Sequence, residues 1–157
     1  MNTAFTILPF TNVLVEMNLT GAQVVAALED GVANHLDNAQ SNGSHPYAAG
    51  LRWNLDMSQA KGQRLSNVQV RNKTTGAWTA IDPAKTYVLV TNDFVAAGGD
   101  GYATLGTVYK TGAYVNTYLL YTQSFVDYVK AKGSIARPAA GDYSHQKVIT
   151  KAGVALP

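Results

Sequence analysis

Residues 87–102 constrain this chain more than any other stretch. An apolar run, Tyr87-Val88-Leu89-Val90, reads as a buried strand. Two positions later it enters Asn92-Asp93-Phe94-Val95-Ala96-Ala97-Gly98-Gly99-Asp100-Gly101-Tyr102. Three glycines in four residues enclose one carboxylate, with an aromatic side chain on either flank. Glycine admits positive φ and lets a ligand come close to the backbone. A strand that ends in such a turn is a common seat for a ligand in α/β proteins. The residue types suit a flat ligand with polar edges: Phe94 or Tyr102 can stack on it, and Asp100 can accept hydrogen bonds from hydroxyls.

The rest of the chain supplies a framework for that turn. Val13, Val15, Met17 and Leu19 alternate with Leu14, Glu16 and Asn18, which predicts a strand with one buried face. Thr20 and Gln23 have capping-box spacing, and Val24, Val25, Leu28 and Val32 carry a helix to about His35. Residues 37–47 read as a loop. Leu51, Trp53 and Leu55 alternate with Arg52, Asn54 and Asp56 as a second strand. Residues 65–71 and 77–81 flank Asn72-Lys73-Thr74-Thr75-Gly76 as a β-hairpin. Asp82-Pro83-Ala84-Lys85 then turns into the strand at 86–91. Val115, Leu119, Thr122, Val126 and Val129, with Tyr118 and Phe125, predict a second long helix, closed by Gly133 and by Pro138 beyond it. Residues 147–150 form a last short strand. The N-terminus leads directly into strand-like sequence, with no leader pattern in its first residues.

The expectation is one α+β (mixed α/β) domain over residues 1–157, with a mixed sheet of five to six strands and two main helices. The loops at 37–47 and 97–113 are long enough to carry function.

Several chemistries are disfavoured. The twelve Lys and Arg residues are scattered and the net charge is +2, too weak a field to argue for nucleic acid. No apolar stretch approaches the length of a membrane span. There is no cysteine, so disulfides, thiolate metal sites and a Cys nucleophile are excluded. His35, His45 and His145 lie far apart and lack ligand spacing, which predicts ordinary surface or loop histidines and no metal site. There is no Gly-x-Ser-x-Gly elbow, and the glycine turn lacks the Lys-Ser/Thr of a phosphate loop. No catalytic residue is predicted.

The turn resembles the signature of the 5'-nucleotidase family, in its C-terminal, substrate-binding domain. Further matches follow in order: Leu8-Pro9-Phe10-Thr11-Asn12 with Leu19-Thr20-Gly21, then Pro46-Tyr47-Ala48-Ala49-Gly50-Leu51-Arg52-Trp53, then Ile81-Asp82-Pro83-Ala84-Lys85-Thr86-Tyr87, and Tyr114 to Lys130 as the family's late helix. The resemblance implies that Phe94 stacks on a nucleobase and that Asp100 binds the ribose hydroxyls. Asn92, Gly98 and Gly99 complete the implied substrate-binding set, with Asn92 mainly in a structural role. The family's second stacking aromatic falls on His45 in Gly43-Ser44-His45-Pro46-Tyr47, with Tyr47 as the other candidate.

The resemblance also implies the substrate-recognition part of a phosphoesterase that hydrolyses nucleotides. Two divalent metal ions and the catalytic groups would sit in a separate N-terminal domain, none of which is recognisable here. The family's domain opens with an Asn-Gly-Gly-Gly-Ile-Arg segment and an earlier arginine. Arg52, Arg64, Arg71 and Arg137 do not match those positions, so the phosphate clamp is expected to be missing. The partner is then a nucleoside or nucleotide, the location periplasmic or extracellular, and the chain alone inactive. A non-catalytic nucleoside-binding or protein-interaction module is the alternative. An opened sheet edge further suggests a homodimer or swapped assembly.

Overall fold

A computed structural model describes residues 2–38, 40 and 42–156. Both ends of the expected 1–157 domain, and positions 39 and 41 of the 37–47 loop, lie outside the described residues. The elements are α1 (Asn2–Ile7), β1 (Val13–Thr20), α2 (Gly21–Leu36), β2 (Leu51–Asp56), β3 (Leu65–Arg71), β4 (Trp78–Ala80), β5 (Thr86–Asn92), α3 (Asp93–Ala96), α4 (Ala103–Tyr109), β6 (Tyr114–Leu120), α5 (Tyr121–Lys132) and β7 (His145–Ile149).

The class is α+β, as the sequence predicts. Among the described residues the strands number seven and divide into two sheets. One is antiparallel with order β5-β1-β6, and the other has order β4-β3-β2-β7, with β7 parallel to β2. Helix α2 contacts β1 and β5 of the first sheet and β3 of the second. The core forms there: Val15, Met17 and Leu19 from β1, Leu51, Trp53 and Leu55 from β2, and Val24, Leu28 and Val32 from α2 are all buried. These are the positions that the two alternating patterns and the helical spacing single out. The capping box is formed as expected, with Thr20 accepting from Gln23 N and Gln23 answering to Thr20 N.

Three expectations are corrected. The strand-like N-terminus is the helix α1, docked on α5. The long second helix begins only at Tyr121, because Tyr114–Leu120 is spent on a strand paired with β1, in register Met17↔Tyr114 and Glu16↔Val115. Val115, Tyr118 and Leu119 are consequently exposed instead of lining a helix. Aromatic and β-branched residues suit a pleated surface, and an available strand partner outweighs helical spacing in so short a window. Third, the run at 87–90 is not buried: β5 is an edge strand, and Val88 and Val90 are 65% and 53% exposed on the face away from α2.

Polar anchors fix the loops around α2. The buried Glu29 carboxylate accepts from the backbone N–H groups of Gly62, Arg64 and Leu65 at 2.8–3.0 Å. Asp30 accepts from Lys61 and from Thr104 N, and Arg64 grips Asp37 with two parallel hydrogen bonds. Burial pushes the Asp30 carboxyl up, but its hydrogen bonds from Lys61 and Thr104 outweigh this and leave it below the usual carboxylate range. The Arg64 bonds lower Asp37 likewise. A depressed folded-state pKa contributes stability that is present at neutral pH and lost as pH falls through the folded value.

Candidate functional site

The C-terminal half of α2 gathers both loops that the sequence singles out. The turn at Asn42–Ser44 and the turn at Gly99–Gly101 each contact α2 and each other. The Tyr102 hydroxyl donates to the Ser44 carbonyl at 2.8 Å, and the Ser44 hydroxyl donates to the Gly31 carbonyl at 2.9 Å. Burial, helped by the charges of Asp100 and Asp30, pushes the Tyr102 hydroxyl up to about 12, so it remains a donor at any ordinary pH. Gly31 is what permits the junction. A Cβ built there would lie 2.7 Å from the Ser44 carbonyl oxygen and 2.7 Å from Tyr102 Cζ. Glycine inside a helix costs about 1 kcal/mol relative to alanine, and here the close approach accounts for it.

The glycine turn has a distinct geometry. Asn92 caps α3 by accepting from Val95 N at 2.8 Å, and Asp93 accepts from Asn12, Val13 N and Phe94 N. Both polar residues at the strand end are therefore structural supports. Phe94 then projects from the first turn of α3 with 52% of its surface exposed. A Cβ on Gly99 would fall 2.6 Å from two atoms of the Phe94 ring. The ring thus rests on the bare Gly99 backbone and keeps exposed surface free for a flat partner. Gly98 adopts φ 98°, a value that excludes most side chains.

Asp100 is strained. It sits at φ 53°, ψ 30°, the left-handed region that a residue with a Cβ enters at a cost of roughly 1–2 kcal/mol. Its carboxylate is exposed and accepts no hydrogen bond from any described residue. An Asx turn, the ordinary structural use of such a residue, is not made. Strain without a local hydrogen bond points to a role outside the fold.

His45 and Tyr47 lie on a neighbouring cleft. It encloses about 1280 Å³ between β5, the 70–76 hairpin and α2, and the 45–51 segment, Val95 and Tyr102 also line it. Tyr47 is 80% exposed, and its ring centroid is 5.6 Å from that of His45. Phe94, Gly98, Gly99 and Asp100 are outside the wall of this cleft, joined to it through Tyr102 and Val95. The structure therefore brings the two predicted halves side by side on α2 without closing them into one cavity. Of the four arginines Arg71 alone lines the cleft, and it is paired with Asp142; Arg64 is bound to Asp37, and the Arg52 and Arg137 guanidinium groups lie over Trp78 and Tyr143.

The sequence misjudged one pair. His45 and His145 are not ordinary surface or loop histidines but meet, Nε2 to Nε2, at 3.0 Å. A separation of 100 positions leaves no spacing signal, and only the pairing of β7 with β2 brings them together.

The sequence profile of the family described as 5'-nucleotidase, C-terminal domain, matches residues 1–107. The NAD 5'-nucleotidase of Haemophilus influenzae is 40% identical over 132 residues, which is 82% of this chain and 22% of that protein. The solved structure of the Haemophilus influenzae NAD nucleotidase superposes with a TM-score of 0.79 at 38% identity, over 85% of this chain and 24% of the other. That of a 5'-nucleotidase precursor from Thermus thermophilus gives 0.76 at 33% identity, over 88% and 26%. The chain belongs to the family of 5'-nucleotidase C-terminal domains. It spans about a quarter of the length of these relatives.

Proposed function

We propose that this domain binds the nucleoside part of a nucleotide and presents its phosphate to a hydrolytic centre carried by another domain. The observation that carries the reading is the turn itself. A half-exposed Phe94 ring lies on Gly99, directly before a strained Asp100 whose carboxylate the fold leaves unused. An aromatic face with an adjacent anionic acceptor suits a nucleobase and a ribose diol. His45 or Tyr47, across the Tyr102–Ser44 bridge, provides the second aromatic group. Holding the substrate in place is catalysis by positioning, and it needs no reacting group in this domain.

The residues present do not fit the two metal ions that such a hydrolytic centre uses. No three His, Cys, Asp or Glu side chains converge among the described residues, and the one imidazole pair aims its nitrogens at each other. Any metal-dependent step thus belongs to groups elsewhere. We place the parent outside the cytoplasm, which the description of the Thermus relative as a precursor supports. No helix among the described residues is long and apolar enough to cross a membrane. The unpaired edge of β5, with Val88 and Val90 exposed, leaves self-association open to a light-scattering measurement.

Calorimetric titration of adenosine tests the reading. The chain is expected to bind weakly, and Phe94→Ala is expected to weaken binding by about 1–3 kcal/mol, the usual worth of one stacked base. Equal affinity in the Phe94→Ala protein would refute the stacking role. In the same preparation, AMP with added divalent metal is expected to remain unhydrolysed. Metal-dependent release of phosphate by this chain would overturn the division of labour.

A further inference from the structure

The His45–His145 contact has more structure than a chance meeting of two rings. The ring planes differ by 23° and the centroids are 5.0 Å apart. Face-to-face stacking would bring centroids much closer, whereas an in-line N–H···N bond of ordinary length separates two imidazole centres by roughly 5.3 Å. With Nε2 to Nε2 at 3.0 Å, the rings therefore meet through these two nitrogens and not face to face. Each Nε2 is directed at the other. No third His, Cys, Asp or Glu side chain joins the pair among the described residues, so it does not describe a metal seat. It describes a single hydrogen bond, in which one imidazole carries its proton on Nε2 and the other, as acceptor, carries its proton on Nδ1.

The surroundings fix this arrangement. Trp53, fully buried in the core, holds the His145 ring edge-on at 5.0 Å. Next to His145, the Ser144 hydroxyl donates to the Ala48 carbonyl and accepts from Ala48 N. The 45–48 segment is thus tied to β7 at two points, and the imidazole bond is the one nearer the ligand face. Tyr47 leans on both rings, at 5.6 Å from His45 and 5.2 Å from His145. Burial lowers both imidazoles. His35 on α2 adds to this at His45, and His45 itself adds to it at His145, which falls to about 4. No carboxylate acts on either ring. One Nε2 therefore stays free to accept through the neutral range.

We propose that His145 is a positioning residue for His45: the two imidazoles share one proton in an Nε2–H···Nε2 bond that sets the His45 ring plane and anchors the 45–47 aromatic segment on β7. A first added proton goes to the free Nδ1 of the donor and leaves the bond intact. A second, on the accepting Nε2, breaks it. The bearing of the pair on a ligand rests on the nucleoside reading of the site, but the pair can be tested without one.

Nitrogen NMR of the full chain reads the tautomers directly. Near neutrality His45 and His145 are expected to show opposite tautomers, one protonated on Nε2 and the other on Nδ1. One of the two should stay neutral down to about pH 4. His145→Gln keeps a donor and acceptor for His45 and cannot titrate, so amide exchange at Ser44, His45, Tyr47 and Ala48 should match the parent protein. His145→Leu should speed that exchange and weaken adenosine binding by about fivefold, with Gln restoring it. Like tautomers that both titrate near 6.5, the ordinary histidine value, would overturn the pair. Opposite tautomers with no change of exchange or binding in His145→Leu would overturn the positioning role. Opposite tautomers and the Gln–Leu contrast in exchange, with no adenosine bound by the parent protein, would uphold the pair and refute the nucleoside reading instead.

Discussion

Gly31→Ala is expected to lower the stability of this domain by about 2–4 kcal/mol, although alanine is the better helix former. The helical gain is about 1 kcal/mol. Against it stand overpacking, which costs typically 1–3 kcal/mol, and the loss of two hydrogen bonds at about 1 kcal/mol each. Both bonds depend on the bare α-carbon: Tyr102 to the Ser44 carbonyl, and the Ser44 hydroxyl to the Gly31 carbonyl. For a domain of this size the melting temperature should fall by roughly 4–16 °C. The change should also uncouple the two loops, because the bond from Tyr102 to Ser44 ties the 42–47 segment to the 98–102 turn. Thermal unfolding followed by circular dichroism measures it. A melting temperature equal to or above that of the parent protein would mean that helix and loops separate freely, and that the junction at Gly31 does not organise the site.

That junction also marks where sequence reasoning succeeds and where it stops. Val15, Met17 and Leu19, and Leu51, Trp53 and Leu55, are legible because a period of two survives any tertiary arrangement that buries one face of a strand. Thr20 and Gln23 are legible because a capping box involves only four consecutive residues. The glycine turn is legible because its residue types are uncommon together. What failed depends on partners distant in sequence. Tyr114–Leu120 fits a helix until β1 is available to pair with it. Val88 and Val90 read as buried until β5 is placed at an edge. His45 and His145 become a pair only through the parallel β2–β7 register. Each of these is a decision of topology, and local pattern carries no information about topology.

Replacing Asp100 by glycine is expected to separate stability from binding. The backbone there has φ 53°, which costs a residue with a Cβ roughly 1–2 kcal/mol and glycine nothing. Glycine loses about 0.5–1 kcal/mol through the greater freedom of the unfolded chain. The sum leaves the Gly variant at least as stable as the parent, whereas an Ala variant keeps the Cβ at the same φ and gains nothing from the change. Binding should follow a different order. A carboxylate that accepts from ribose hydroxyls contributes about 1.5–3 kcal/mol, so both variants should lose on the order of 10- to 100-fold in affinity for adenosine. An Asn variant tolerates the same φ, keeps an acceptor oxygen and lacks the charge, so it should fall between the parent and Ala in binding while staying close to the parent in stability. Melting curves and calorimetry on the four proteins would read both orders together. If the Gly variant bound adenosine as tightly as the parent, the strain at Asp100 would have no functional counterpart. A Gly variant that is stable yet fails to bind would show that the fold holds this carboxylate in a costly conformation for the sake of its ligand.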